Sequence, residues 1–330
     1  MRRLLLVILL LAAGGARAER IEVGPGRSHA LPSDALKLAF DGDVIAIDEG
    51  EYFDCLLIKG DVITIEGQGT GAVLTDTTCG GKAIIVVEGD RIVLRNLTLQ
   101  RARVPDGNGA GIRAEGLALT VDRVRFLNDQ GGIIAGDQKG AAILVRDSLF
   151  RGTGRCDGGR CTPAISVGAV DRLRIERTRI TGTQGAHQLV SHARQTEIAD
   201  SIIEDGADGS ASFQVMIADG GGLVMENCSL QKGPRASNTR AAVLLDGAAG
   251  GPMVFRKNRY TNETGKSVPF VLDWSDASPV LQGNTVPPGD SEISSSGVLL
   301  HRAIVLARET KDAARALAGK AKRAVQSLIR

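Results

Sequence analysis

One short pattern recurs along most of this chain and leaves little choice of fold. Two apolar residues flank one position, a small, polar or charged pair follows, and an apolar residue closes the unit. It reads ILVRDSLF at 143–150, LRIERTRI at 173–180 and LVMENCSL at 223–230. The central apolar residues are Ile65, Leu94, Val121, Val145, Ile175, Ile198, Met225, Phe255 and Leu281, spaced by 23 to 30 residues with a mean of 27. Helical repeats are longer, about 33–47 residues, and place apolar residues at a 3.6 period. Here the alternation has period 2 with Gly, Asn and Asp at the corners, which are strand and turn signals. A second short strand precedes most copies, as in AISVG at 164–168 and FQVMI at 213–217.

Short strands stacked at about 4.8 Å predict an all-β, single-stranded right-handed parallel β-helix of about nine coils over residues 46–290. No coil can bury its apolar column alone, so stacking makes the core. Corner loops of varying length are expected to build any groove. Both ends of such a solenoid expose a ladder edge and need a cover. Residues 19–45 are expected to supply an N-terminal cap, with Ser33 or Asp34 capping a short helix and Leu36, Leu38 and Phe40 as its apolar contacts. Residues 301–330 read as an amphipathic C-terminal helix with eight Lys or Arg against two acids. That helix is expected to pack over the last coil, or to touch an anionic membrane or polysaccharide surface.

The chain opens MRRLLLVILLLAAGGARA: two arginines, an apolar run too short to span a bilayer, then an A-x-A site. It reads as a signal peptide over 1–18, which predicts a periplasmic or secreted protein. Export makes disulfides favourable. Cys156 and Cys161 can close a small loop. Cys55 and Cys79, 24 residues or about one coil apart, are expected to bridge stacked turns. Cys228, inside a regular repeat, is left over. No C-x-x-C pair exists, so no metal site is expected. A net charge of +2 gives no nucleic-acid footprint.

These repeats resemble the pectin-lyase-like right-handed β-helix superfamily over roughly 20–290. The stretch from Gly81 to Gly136, with VPDGNGAGIR at 104–113 its most specific part, is similar to exported bacterial β-helix proteins of uncertain activity. The superfamily includes pectate and alginate lyases, polygalacturonases and mannuronan epimerases. The resemblance therefore implies a polysaccharide partner and does not choose a reaction. It also implies losses. The group carries a histidine where this chain has Pro163 and Ala164, a lysine and an arginine at Val190 and His192, and an acid near Met216. Neither the calcium-aspartate cluster of pectate lyases nor the three-carboxylate set of polygalacturonases has a match, so calcium has no support as a cofactor.

Two of the four histidines, His187 and His192, are five residues apart. On one strand they point to opposite faces, so they cannot share a metal or a proton relay. Leu189 and Ser191 are expected to point in, and Val190 and His192 out. A β-eliminating lyase needs a base and a cation that neutralises the uronate. Arg113, Lys139, His187 and His192 are the candidate catalytic residues, and Asn108, Gln188 and Gln214 the expected substrate-binding ones. A hydrolase would need paired acids; Asp246 and Asp273, one coil apart, are expected to stack or to serve as turn residues. Two readings follow. One is a β-helix that binds or organises an extracellular or cell-envelope polysaccharide, with a degenerate catalytic site. The other is an active lyase or epimerase on a uronate-containing glycan.

Overall fold

The structure, a computed structural model, describes residues 18–299 apart from 158, 220, 248 and 249, together with 303, 306, 307, 310, 311 and 315. The signal peptide, save Ala18, and most of the expected C-terminal helix lie outside the described residues.

The chain winds into an all-β parallel solenoid of about ten turns. Three sheets run along it. We name them A, B and C in the order one turn visits them: Arg91–Arg95 lies in A, Leu97–Gln100 in B and Ala110–Ala114 in C. The next turn repeats the order with Ala118–Asp122, Arg125–Leu127 and Gly131–Ala135. Among the described residues sheet A has 11 strands, B has 9 and C has 10.

The apolar column read from the repeat is one continuous stack in sheet A. Ile65 pairs with Leu94, Leu94 with Val121, Val121 with Val145 and Val145 with Ile175. The register continues through Ile198, Met225 and Phe255 to Leu281. From Ile65 to Phe255 none is more than 1% exposed. Full burial of such side chains stabilises by roughly 1.5–3 kcal/mol each, so the stack is a main source of cohesion between turns. The ladder starts earlier than the repeat itself, since Ile21 and Ile45 stand in register before Ile65.

The corner from A to B explains the polar pair in each repeat. Its first residue takes positive φ: Asn96, Arg123, Asp147, Arg177, Asp200, Asn227 and Lys257 lie between 45° and 54°. Where its second residue is polar, that side chain turns inward and bonds the corner of the adjacent turn. Ser148 Oγ accepts the Val124 N–H at 3.1 Å, Ser201 Oγ the Thr178 N–H at 3.2 Å, and Asn258 Oδ1 the Cys228 N–H at 2.9 Å. Buried corner amides are thereby satisfied, as buried backbone groups must be. Cys228 occupies one of these positions as a free, buried thiol, and burial pushes it up to about 12.

The longest corners run from B to C, at 101–109, 152–164, 205–214 and 233–242, with 182–188 shorter and 128–130 tight. Within the second, Arg155–Asp157 and Arg160–Thr162 form an antiparallel hairpin closed by the Cys156–Cys161 disulfide. Its Thr162 hydroxyl donates to the Gly107 carbonyl at 2.9 Å, tying it to the 101–109 loop. The Cys55–Cys79 disulfide joins neighbouring turns, with a Cα separation of 5.5 Å.

Near the N-terminus the helix Pro32–Leu36 buries Ala35 and packs Leu36 on the core, and contacts the first two strands of sheet A. Its N-cap is Leu31 rather than Ser33 or Asp34. Leu38 and Phe40, expected as apolar contacts, are 58% and 78% exposed because the helix ends at Leu36 and the chain turns away.

Candidate functional site

The long B-to-C loops flank the outer face of sheet C, where Arg113 and His192 fall. Its outward column runs Leu57, Val86, Arg113, Ile134, Ser166, Val190, Met216, Leu244 and Leu272. The far end is covered. Phe213, Leu244, Leu272 and Trp274 cluster there with Val298 against them, and Trp274 Nε1 donates to the Ser296 carbonyl at 2.9 Å. Arg240 lies over the Trp274 ring at 4.3 Å. From Arg113 to Met216 the column is neutral after Arg113: Ile134 and Ser166 are half-buried, Val190 is buried and Met216 packs against the Trp274 cluster.

Arg113 stands between Val86 and Ile134, and its Nε is buried without a partner. Val190 and His192 point outward, as alternation requires, while Leu189 and Ser191 are fully buried. His192 Nδ1 lies 2.7 Å from Asp219 Oδ2, with the two side chains 36% and 83% exposed. His187 sits at the other end of the same strand, stacked on Phe213 at 5.5 Å. Its Nδ1 accepts the Phe213 N–H at 3.3 Å, which places its proton on Nε2. Burial, with the Lys232 charge adding to it, lowers its pKa. Lys139 is exposed at the start of the sheet A strand Gln138–Arg146.

These four residues do not converge. Three strand steps separate Arg113 from Val190, roughly 14 Å at about 4.8 Å per strand. Arg113 and His192 therefore cannot act on one sugar ring, though both can touch a chain several sugars long. His187 and His192 flank Leu189–Ser191 from opposite ends and face different corners.

Two expected substrate contacts are corrected. Gln188 and Gln214 are 0% exposed. Gln188 Nε2 donates to the Ile180 and Glu204 carbonyls at 3.2 and 2.6 Å. Gln214 Oε1 lies 3.4 Å from Lys232 Nζ. Alternation fails at the start of these strands because consecutive N–H groups point the same way: Gln188 donates to Phe213 and Leu189 to Gln214. The amides thus turn into the tube, beyond reach of any polysaccharide outside it. Asn108 is half-buried in the 101–109 loop, just before the strand that carries Arg113. Asp273 pairs with Leu245, not Asp246, and accepts the Ser275 N–H at 2.9 Å, so it serves as a turn residue.

Sequence reasoning missed the charged residues inside. Lys232 is fully buried, its Nζ donating to the Ser212 carbonyl, and burial pulls its pKa down to about 8. The Asp205 carboxylate accepts the Ala211 and Gly233 N–H groups at 3.0 and 2.8 Å, and burial raises it. Asp129, fully buried and raised well above the usual range by desolvation, accepts the Ala102 N–H at 2.8 Å. All three hold B-to-C loops onto the tube. Among the described residues, no group of three His, Cys, Asp or Glu is placed to hold a metal ion.

No protein-family profile matches the sequence, and no curated protein matches it. Solved structures do. An alginate lyase from Paenibacillus sp. str. FPU-7 is 18% identical, with a TM-score of 0.61 over 84% of this chain and 98% of that one. The pectate lyase Pel9A is 12% identical, with a TM-score of 0.52 over 86% of this chain and 82% of its own. The likeness is one of architecture: this chain shares the parallel β-helix fold of these two structures.

Proposed function

We propose that the protein is exported and binds or organises a uronate-containing polysaccharide along the outer face of sheet C, with a catalytic centre that no longer works. One observation carries the reading. Between Val86 and Met216 the outward column of that face has a single ionisable side chain, Arg113. β-Elimination needs a base and a cation on the same sugar, and the nearest outward histidine is roughly 14 Å from Arg113 along the tube. The fold shared with an alginate lyase and a pectate lyase supports the substrate class. Two disulfides support an oxidising compartment.

Calorimetric titration of the mature chain with oligouronates tests it. Ser166 is half-exposed midway between Arg113 and Met216 on that column. The variant Ser166→Trp plugs the face and is expected to weaken binding by about tenfold or more, some 1.4 kcal/mol. Unchanged binding at an unchanged melting temperature contradicts a binding role for this face.

A further inference from the structure

A second groove, away from sheet C, is built for anions. It runs over the outer face of sheet B beside the A-to-B corners, with a volume of about 520 Å³, and four arginines line it against two aspartates. Two columns make it. On the strands, Arg125, Leu149, Arg179 and Ile202 stand in register. At the corners, Arg177 is spoken for, since it forks onto Asp147 at 2.7 and 2.9 Å.

Among the described residues the strand column of this groove carries one unpaired guanidinium, Arg125, and one paired guanidinium, Arg179. Guanidinium and aliphatic side chains alternate along it, one per turn. Arg125 is exposed and makes no hydrogen bond or ion pair among the described residues. Arg179 is paired as well, its Nε donating to Glu204 at 3.0 Å, and its side chain is about half exposed, so a ligand carboxylate would take its remaining N–H groups. Two strand rises separate Arg125 from Arg179, roughly 9.6 Å at 4.8 Å per strand. That is close to the length of one disaccharide in an extended 1,4-linked chain, the interval at which such a chain presents carboxylates on one side. Leu149 and Ile202 fall between, where the apolar faces of sugar rings would rest. Guanidinium forks match carboxylate geometry in a way that a point charge does not.

We propose that this groove is a second binding site for an extended polyuronate chain, lying along the tube axis with carboxylates on Arg125 and Arg179. Nothing in it depends on the sheet C face, so the two readings stand or fall separately.

The test is calorimetry of the mature chain with an oligouronate of about eight sugars, a neutral oligoglucan of equal length, and inorganic sulfate. Two oligouronates per chain are expected, with no binding of the neutral chain and only weak binding of sulfate. Arg125→Gln with Arg179→Gln is expected to weaken one site by about tenfold and leave the other. Ile202→Glu, at a position 38% exposed, is a second variant that should act in the same direction by repelling carboxylate. Melting curves verify that each variant folds. Two sites persisting in both variants overturn this groove and leave the sheet C proposal intact. Loss of all binding in the double arginine variant, with Ser166→Trp silent, keeps the groove and removes the sheet C site. Equal tight binding of sulfate and oligouronate overturns the polysaccharide assignment.

Discussion

Lys232 stands inside the tube with its ammonium on the carbonyl oxygen of Ser212. The position is at the end of the sheet B strand Ser229–Lys232, two residues after the inward Leu230 and in register with Asn262 of the next turn. Burial lowers its pKa from 10.5 to about 8. A depressed lysine favours folding most when neutral, so its contribution is full above 10.5 and is lost as pH falls toward 8. Cys228 and Tyr260, both raised by burial, act in the opposite sense at alkaline pH. The useful readout is therefore a difference. Measured by urea unfolding, the stability of wild type relative to Lys232→Met should rise by about 3 kcal/mol from pH 8 to 10.5. A flat difference would show that the ammonium is solvated.

The corner ladder predicts a second effect. Asn258 accepts the Cys228 N–H and donates to the Met225 carbonyl at 3.0 Å while 1% exposed. Asn258→Ala strands both groups, at a cost of about 2–4 kcal/mol. Asn258→Ser, which keeps an oxygen, should lose less. Chemical denaturation of the two variants ranks them.

Phe126 and Phe150 stack at 4.3 Å, and two glycines make room for them. A Cβ on Gly111 would lie 2.6 Å from the Phe126 ring, and one on Gly132 would lie 2.6 Å from the Phe150 ring. Gly132→Ala should therefore destabilise by about 1–3 kcal/mol. Phe150→Leu in the same chain should recover part of that loss. A double-mutant cycle without coupling would contradict the packing.

The two disulfides should differ in worth. By chain entropy, the 24-residue Cys55–Cys79 closure stabilises by about 3 kcal/mol and the five-residue Cys156–Cys161 closure by about 2. Paired Cys→Ser variants compared by thermal unfolding give the order.

The tube was legible because its core writes itself into the sequence at period 2. Every residue from Ile65 to Leu281 named from the repeat stands in register with the next. What was illegible lies where that period breaks. Gln188 and Gln214 read as outward by alternation but turn inward, because the loop enters the strand with successive N–H groups aimed at the same neighbouring turn. The strand Arg20–Val23 lacks the polar corner that marks later turns, so it reads as part of a cap. Arg123 and Arg177 take a positive φ usually left to Gly, Asn or Asp, and no residue preference announces them. Charged residues such as Lys232 and Asp205 belong inside only because loops from other turns close over them, a contact that no local window contains.

Whether the protein cleaves what it binds is the most direct test. Mature protein at a concentration that saturates binding is incubated with alginate and polygalacturonate, with and without calcium, and unsaturated chain ends are followed by absorbance alongside chain length. The account predicts binding with no new ends and no shortening. Unsaturated ends that accumulate with wild type and vanish with His192→Ala or Arg113→Gln would contradict it and restore a working lyase.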